Sequence, residues 1–428
     1  MKPTADEAHA LPRMKPVLFV TSHAPAYRVG AFECLHEREN VEFALFGGRL
    51  KHGGGSTASE LPFPHRHVEQ HGLFALANSG RYRAVVCPTG GRVAPLVTWA
   101  GARRARLPLI LWASLWAHPR SAAHALSYPV LRRLYRTADA VVTYGPHVSA
   151  YVEAHGARRV HVAPQSVDNA FWSSPDVNPP NDPGWPIDAG AIFLFAGRPT
   201  REKGLGVLVE AWSVSGLQTP TAALVLVGTG STPPWVPAGG AVASSIPAGG
   251  AVASSIPAGG AVAGPSRAGP GAGGAVAGSN SDPLTSVDSG IVSLDPVPPG
   301  QLRNFYAGAD VLVVPSIPTR TFREPWGLVV NEAMNRGLPV IASDAVGAAA
   351  GGLVRDGHNG LIVPAGDPVA LAGALRKLAG DASLRGRMGA AGREDVGAYT
   401  HEAWAGGFSE ALAEFGLSLV RPARGAVR

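Results

Sequence analysis

The sequence predicts an α/β protein built from two doubly wound parallel-sheet domains. Three observations predict this fold. Short apolar runs rich in Val, Ile and Leu alternate with helical patterns, the 428 residues exceed the comfortable size of one core, and 46% of them are hydrophobic. Buried parallel strands read as continuous apolar runs because helices cover both faces of the sheet. Each half of the chain contains its own series of such runs.

In the N-terminal half, strands are predicted where apolar runs end at polar or turn residues. Helical patterns fill the gaps, and one helix ends at a glycine in the usual capping place. The predicted strands are 16–21, 84–88, 107–112, 140–144 and 160–164, and the predicted helices are 31–39, 126–138 and 151–156. We therefore assign 15–175 to the first domain and predict that 1–14 is disordered.

In the C-terminal half, the alternation of strand and helix continues after a proline-rich stretch. Residues 176–188 carry four prolines and little apolar content, which is typical of an interdomain linker. The predicted strands are 191–196, 222–227, 310–314 and 338–343. Residues 189–399 are therefore assigned to the second domain.

Glu324 and Glu332 are the strongest indication of function. Pro325 suits the first position of a helix because its missing N–H would have no partner there, and Gly337 ends that helix about three turns later. Two carboxylates beside one helix start can accept sugar hydroxyls. Taken alone, however, such a pair is more often two solvated acids on a surface helix.

Groups that could bind a diphosphate lie next to these acids or on an earlier loop. Gly327 and Leu328 would offer unpaired N–H groups at the positive end of the predicted helix. The loop after strand 191–196 begins at Gly197 and carries Arg198 and Lys203, two cations where α/β proteins bind ligands. The loop matches neither a Walker P-loop nor a dinucleotide fingerprint, and without the glutamates it could be an ordinary basic turn.

The segment 323–344, taken with the loop 197–204, resembles the donor-binding half of the GT-B retaining glycosyltransferases of family four. In that family, two glutamates eight positions apart hold the donor sugar and the nucleotide ribose. The resemblance covers nearly the whole chain except 1–14 and a repeat segment. It implies a GT-B fold of two Rossmann-like domains facing across a cleft. It also implies metal-independent, cofactor-free transfer of a hexose-type sugar from a nucleoside diphosphate sugar to a hydroxyl acceptor on a glycan, a lipid carrier or a small molecule.

The resemblance also implies roles for individual residues. Glu324 would orient the sugar ring, Glu332 would bind the ribose, and Arg198 with Lys203 would contact the distal phosphate. His118, in a loop after the strand 107–112, would face the donor sugar, although a lone histidine in a loop is as often solvated or bonded to backbone.

The remaining implied positions line the donor or the acceptor. The donor-side group is Gly197, Gly228, Gly327 and Leu328, and the acceptor-side pair is Tyr27 and Arg28. An arginine at position 28 could also simply pack on the following helix. The helix 400–416 resembles the final helix that crosses back onto the first domain in this family.

Residues 233–283 form a low-complexity insertion in which a ten-residue unit is repeated from Pro237. The segment has almost no charged or aromatic side chains, so it cannot bury enough surface to offset its ordering entropy. We predict a disordered surface loop, with a β-solenoid or a binding arm as the alternatives.

Composition excludes several classes of protein. The two cysteines fit a reducing compartment, no apolar run reaches the ~20 residues of a membrane helix, and the N-terminus does not read as a secretion signal. His65, His67 and His71 lack partners at metal-ligand spacing, so we predict no metal site. A cytoplasmic protein is expected.

The net charge of +6 is carried partly by two arginine clusters. No aromatic platform or reading helix accompanies them, so we expect no nucleic-acid binding but a loose association with an anionic membrane, at the inner face of the cell membrane. The clusters are Arg103, Arg104, Arg106, Arg132, Arg133 and Arg136.

Two other functions remain open at this stage. One is another GT-B enzyme, such as a sugar-nucleotide epimerase or a phosphorylase, although the latter would need a pyridoxal phosphate lysine for which no motif is present. The other is a non-catalytic sugar-nucleotide binder that acts as a scaffold. The intact set of two cations and two glutamates argues against a silent binder.

Overall fold

A computed structural model describes residues 14–47, 61–178, 180, 185–230, 243–244 and 290–420. Within these residues the chain forms two seven-stranded parallel sheets with helices on both faces. This confirms the predicted fold class. The fold class can be predicted from the apolar runs because each strand of a parallel sheet is covered by helices on both faces and therefore consists mainly of apolar residues.

The first sheet is built from the N-terminal half of the chain. Its strands are β1 (Val17–Thr21), β2 (Val41–Leu45), β3 (His65–His67), β4 (Ala84–Pro88), β5 (Leu109–Ala113), β6 (Ala140–Thr143) and β7 (Val160–Val162). Its helices are α1 (Ala26–Glu39), α2 (Leu73–Ala77), α3 (Ala94–Arg104), α4 (Ala122–Thr137) and α5 (Pro146–Ala154). The strand order β3-β2-β1-β4-β5-β6-β7 reverses direction between β1 and β4.

The second sheet follows a short helix, α6 (Asn169–Ser173). Its strands are β8 (Ile192–Ala196), β9 (Ala223–Val227), β10 (Ala243–Ser244), β11 (Ile291–Leu294), β12 (Val311–Val314), β13 (Val340–Ser343) and β14 (Gly360–Val363). The remaining helices are α7 (Leu205–Ser215), α8 (Pro299–Gly308), α9 (Val329–Asn335), α10 (Gly347–Ala350), α11 (Pro368–Gly380), α12 (Ala382–Val396) and α13 (His401–Ala413). The order β10-β11-β9-β8-β12-β13-β14 reverses between β8 and β12.

Two segments cross between the domains. Helix α13 lies on the first domain, where Trp404 and Phe408 are fully buried against Phe19 of β1. Helix α6 packs on α9, and its Trp172 contacts Tyr306 in the core of the second domain. The sequence assigned these α6 residues to the first domain, within 15–175, whereas their packing joins them to the second.

The insertion 233–283 lies outside the described residues except for β10. These two residues pair in parallel with Val292 and Ser293 of β11. The prediction of disorder is therefore wrong for Ala243–Ser244, because the open edge of β11 offers backbone groups with which an extended segment can pair. The predicted disordered segment 1–14 also falls outside the described chain except for Met14.

Candidate active site

The candidate site lies at the carboxyl edge of the second sheet, where the strand order reverses. Open α/β sheets bind ligands at such a point because the loops after the two flanking strands diverge and leave a crevice. Here the flanking strands are β8 and β12. The predicted phosphate-binding loop follows β8, and the glutamate segment follows β12.

Gly197 and Gly228 lie side by side at this edge. Their strands pair with Ala196 opposite Val227, and Gly197 N–H donates to the Val227 carbonyl at 3.0 Å. Gly228 has φ +90°, and a Cβ placed there would lie 2.8 Å from the Gly197 carbonyl oxygen. A side chain at position 228 would therefore force the two loops apart. At Gly197 a Cβ would meet only the Phe195 ring at 3.4 Å, so the close approach requires glycine at position 228 alone.

The loop after Gly197 brings a cation to the glutamate segment. The Lys203 Nζ lies 2.5 Å from Glu324 Oε2, although the two residues are 121 positions apart. The loop is held there by a backbone bond of 2.9 Å from Ile317 N–H to the Glu202 carbonyl. Glu324 is only 7% exposed, so its charge is stabilised mainly by this lysine. The structure thus brings together two of the predicted catalytic residues.

Arg198 has a different environment from Lys203. Its side chain is exposed, and it forms no ion pair with any residue that the structure describes. The guanidinium is free to turn toward a ligand at the edge of the sheet. Its role as a phosphate contact stays a prediction.

The segment around Glu324 also contacts the first domain. The indole N–H of Trp116 donates to the Glu324 carbonyl at 3.0 Å, and His147 Nε2 lies 3.0 Å from the Pro325 carbonyl. The guanidinium of Arg323 lies over the Trp116 ring at 3.7 Å. Burial lowers the pKa of His147, so at neutral pH it donates as a neutral imidazole. Sequence reasoning missed these three cross-domain side chains.

The helix predicted from Pro325 to Gly337 is shorter than expected. Helix α9 begins only at Val329, and Gly327 has φ +93°, which no right-handed helix can include. The side chain of Trp326 is instead buried and donates to Asn331 Oδ1 at 2.7 Å. The predicted start of this helix was therefore wrong. The sequence did not reveal that Gly327, in a left-handed conformation, and the buried Trp326 form a turn before the helix.

Gly327 and Leu328 consequently lie in the turn before α9. Within the described chain, neither backbone N–H has a hydrogen-bond partner. The carbonyls of both residues accept bonds from the helix, at 3.0 Å from Val330 N–H and 3.1 Å from Glu332 N–H. The amides that the sequence singled out are therefore available, although from a turn rather than from the first turn of a helix. Their role as anion ligands stays a prediction.

Glu332 lies on α9 and is 7% exposed. The hydroxyl of Tyr306, from α8, donates to Glu332 Oε2 at 2.8 Å. Burial raises the pKa of Glu332 to about 7, an effect that the Tyr306 hydrogen bond partly opposes. The carboxyl is therefore close to half protonated at neutral pH. No sequence signal would have selected Tyr306 as its partner.

His118 makes no contact with Glu324 or Glu332 in the part of the chain that the structure describes. Its Nε2 is 3.2 Å from the His124 carbonyl, and its ring packs edge-on to Tyr128 at 4.7 Å. The Tyr151 hydroxyl is 3.5 Å from Nδ1. The structure places the ring against α4 and α5 and does not bring it to Glu324, so its role toward the donor stays a prediction.

Tyr27 and Arg28 lie in the first turn of α1, which follows β1 at the carboxyl edge of the first sheet. The Arg28 guanidinium is surrounded by the rings of Tyr27, Trp112, Tyr144 and Trp404 at 5.3 to 5.7 Å. Its Nη2 donates to Gln165 Oε1, while Nη1 is buried without a partner among the described residues. Burial raises the pKa of Tyr27 to about 12. The acceptor-side role of the pair stays a prediction. Arg28 packs mainly against side chains from outside its own helix, namely Trp112, Tyr144 and Trp404.

Among the described residues, no three His, Cys, Asp or Glu side chains are grouped so that they could hold a metal ion. His65 and His67 lie on β3 with their rings 6.0 Å apart. In the same part of the chain, no helix has the length and apolar character needed to span a bilayer.

Residues 271–381 match the model of a family described as glycosyl transferases group 1. Two curated relatives are the D-inositol 3-phosphate glycosyltransferases of Corynebacterium diphtheriae and Streptomyces coelicolor. The first is 41% identical over 110 residues, covering 25% of this chain and 23% of the relative. The second is 44% identical over 97 residues, covering 22% of this chain and 19% of the relative. The chain thus matches less than a quarter of the length of either protein.

Solved structures match over nearly the whole chain at low identity. HepE of Anabaena in complex with UDP and glucose has a TM-score of 0.62 at 16% identity, covering 94% of this chain and 100% of that one. A glycosyltransferase of Rickettsia africae has a TM-score of 0.64 at 13% identity, covering 96% and 100%. The protein therefore has the GT-B fold, and its segment 271–381 is similar to the glycosyl transferases group 1.

Proposed function

We propose that the protein is a retaining glycosyltransferase that moves a hexose-type sugar from a nucleoside diphosphate sugar to a hydroxyl acceptor. The observation that carries the proposal is the pairing of Lys203 with Glu324 at the point where the second sheet reverses. The family match of residues 271–381 supports a sugar transferase, since this range includes both glutamates. The Anabaena neighbour whose complexes contain UDP and UDP-glucose supports a nucleotide sugar as the donor.

The Lys203–Glu324 pair has a direct role in this proposal. Without donor, the lysine neutralises the carboxylate. A diphosphate entering beside Gly197 would compete for Lys203, and the freed Glu324 carboxylate would then accept hydroxyls of the sugar. In this exchange Lys203 keeps an anionic partner, and the Glu324 carboxylate keeps hydrogen-bond donors in place of the ammonium.

The proposed reaction breaks the bond between the anomeric carbon and the phosphate oxygen. The acceptor oxygen forms the new bond on the same face of the sugar, and its proton passes to the leaving phosphate. Negative charge builds up on the diphosphate, where Lys203, Arg198 and the free amides of Gly327 and Leu328 are available to stabilise it. Glu332 would bind the ribose. These protein groups supply the stabilisation in the proposal, which includes no metal ion and no cofactor.

The acceptor and the place of reaction are also proposals. The names of the curated relatives suggest a phosphorylated polyol as one acceptor to test. The arginine clusters of the first domain support a cytoplasmic enzyme that associates with the inner face of the membrane.

Two measurements on the purified full chain test the proposal. Titration calorimetry with UDP, GDP and ADP should give micromolar binding for one of them, and Lys203→Ala should weaken it, whereas Lys377→Ala on the exposed face of α11 should not. Proton NMR should then show that the first sugar released from an α-linked donor is the α anomer. Failure to bind any of the three nucleotides, or release of the β anomer, would contradict the proposal.

A further inference from the structure

Helix α4 presents an unusual outward face. Leu126 is 81% exposed and Val130, one turn later, is 42% exposed. The opposite side of the helix is anchored by Leu134 and Tyr135, which are buried in the first domain. Residues four apart share a face of a helix, so the two apolar side chains form one projecting ridge. Pro129 between them is exposed as well.

The same face becomes basic toward the end of the helix. Arg132, Arg133 and Arg136, with Arg158 from the loop after α5, line an open pocket of about 610 Å³ beside Tyr128. None of these four arginines forms an ion pair with a residue of the described chain. Their neighbours differ, because Arg103 pairs with Asp139 at 3.4 Å and Arg159 with Glu414 at 3.2 Å. Four cations without a carboxylate partner in the described chain therefore line one pocket.

The sequence around α3 and α4 is also rich in positive charge. Residues 70–138 contain ten arginines and not one Asp or Glu. A surface that only needs to be soluble usually mixes both signs. Arg81, Arg83 and Arg103 pair with acids from outside this range, and the other seven arginines leave it with an excess of positive charge.

Helix α4 follows a loop that contacts the candidate active site. The loop that precedes α4 contacts the second domain through Trp116, which donates to the Glu324 carbonyl, and through a 2.5 Å bond from Arg120 N–H to the Arg320 carbonyl. A body that covered α4 would therefore lie next to the mouth of the cleft.

We propose that the outward face of α4 docks on an anionic lipid bilayer. Leu126 and Val130 enter the boundary between headgroups and acyl chains, and Arg132, Arg133, Arg136 and Arg158 bind lipid phosphates. A soluble polyanion would satisfy the arginines but leave Leu126 in water. A second copy of this chain would bring two arginine pockets of the same sign together. A bilayer offers an apolar phase and phosphates at one surface.

The docking has a consequence for the acceptor. If the sugar transfer proposed above is correct, the hydroxyl acceptor would be carried by a lipid and would enter the cleft from the membrane side. This consequence rests on the proposed function, whereas the docking itself depends only on α4.

Flotation of the full-length protein with vesicles tests the docking. Vesicles of neutral phosphatidylcholine are compared with vesicles that contain 30% phosphatidylglycerol, at about 0.1 M salt. We expect binding to the anionic vesicles, with a partition coefficient that falls ~20-fold in the variant Arg132→Ala/Arg136→Ala, since each basic residue near an anionic surface contributes roughly five-fold. Leu126→Ser should lower it about ten-fold. The matched controls, Arg387→Ala and Ile187→Ser, alter an exposed arginine and an exposed isoleucine far from α4 and should bind like wild type.

Several results would overturn the proposal. These are the absence of binding to anionic vesicles, equal binding to neutral vesicles, or normal binding by both α4 variants. Competition by millimolar inorganic phosphate that removes all vesicle binding would assign the pocket to a soluble anion instead. Sedimentation without lipid completes the test, because a dimer that Leu126→Ser dissociates would show that a second copy covers the face. Nucleotide affinity should be unchanged in all variants, so failure of the docking and failure of the proposed transfer give different results.

Discussion

Arg28 and Lys203 occupy equivalent places in the two domains but have different surroundings. Each lies seven residues beyond the end of the strand where its sheet reverses, β1 in the first domain and β8 in the second. Arg28 is enclosed by four aromatic rings and is 3% exposed, whereas Lys203 pairs with a carboxylate and keeps about a quarter of its side chain in solvent. The caged cation is fixed by packing, and the paired one can exchange its partner. Similar topology therefore places an enclosed cation in one domain and a solvent-accessible, ion-paired cation in the other, and only the second is proposed to bind a ligand.

The largest expected effect comes from the exchangeable cation. Lys203→Ala should lower the rate of sugar transfer ~100- to 1000-fold, because it removes a charge directed at the leaving diphosphate. Transfer kinetics with a radiolabelled nucleotide sugar would measure this loss, and Lys377→Ala, on the exposed face of α11, is the control. Turnover within a few-fold of wild type would remove Lys203 from the site and with it the contrast between the two cations.

Substitution of the caged cation should instead change stability. Arg28→Ala leaves space among four rings and breaks the bond to Gln165, so we expect a loss of about 2–3 kcal/mol in the free energy of unfolding. Arg28→Met fills most of that space and removes a buried Nη1 that has no partner in the described chain, so its cost should stay below about 1.5 kcal/mol. Urea denaturation of the two variants would measure both values. Equal losses in both would mean that the charge of Arg28, rather than its packing, stabilises the domain.

Glu332 provides a test of electrostatics within the second domain. Its pKa of about 7 in the folded protein exceeds the ordinary value near 4.3, so the wild type loses stability as the pH rises from about 4.5 to 7, and the loss is complete above that. Glu332→Gln should therefore be ~3 kcal/mol more stable than wild type at pH 8 and about equal at pH 4.5.

Urea denaturation at the two pH values measures this difference, with the exposed Glu153→Gln as the control that should show none. Nucleotide affinity of the wild type should rise between pH 6 and 8, because the ribose hydroxyls need the ionised carboxylate as an acceptor. An affinity independent of pH would argue against Glu332 as the ribose ligand.

The smallest effect is expected from the repeats. Deleting 247–256 removes one copy of the ten-residue unit and keeps Ala243–Ser244, the strand that pairs with β11. The closure entropy of a long loop changes slowly with its length, so the unfolding free energy should change by less than ~0.5 kcal/mol and transfer should be normal. Differential scanning calorimetry would detect a larger change, which would show that the repeats form an ordered part of the second domain.

The sequence predicted most strands because each one is a continuous apolar run, as in β8, expected at 191–196 and found at Ile192–Ala196. It missed β2 (Val41–Leu45), whose apolar run is interrupted by Glu42. It also missed β3, whose three residues His65–His67 are polar and lie at the edge of the sheet, where no burial pattern marks a strand. The start of α9 was wrong for a related reason. The turn at Gly327 depends on the burial of Trp326, which is a tertiary contact.

The same limit applies to the site. The sequence indicated Lys203 and Glu324 as separate candidates, and the resemblance to a family assigned both to one site. The ion pair between them was not predicted, because it depends on the approach of two loops that are distant in sequence. Trp116 and His147 lie in the first domain and reach the segment of Glu324 across 208 and 178 positions of sequence. No local pattern encodes contacts at such separation. Side chains that join the domains therefore became visible only in the structure.

The burial of Trp404 and Phe408 against β1 has a consequence for synthesis on the ribosome. The aromatic face made by Phe19, Phe32 and Phe43 is translated early, but α13, which covers it, follows the whole second domain. Until residues 401–413 leave the exit tunnel, the first domain exposes an aromatic surface that it cannot cover from its own residues. During that interval the nascent chain is a natural client for chaperones that bind apolar surfaces, and folding of the first domain is completed only after the second domain has been made.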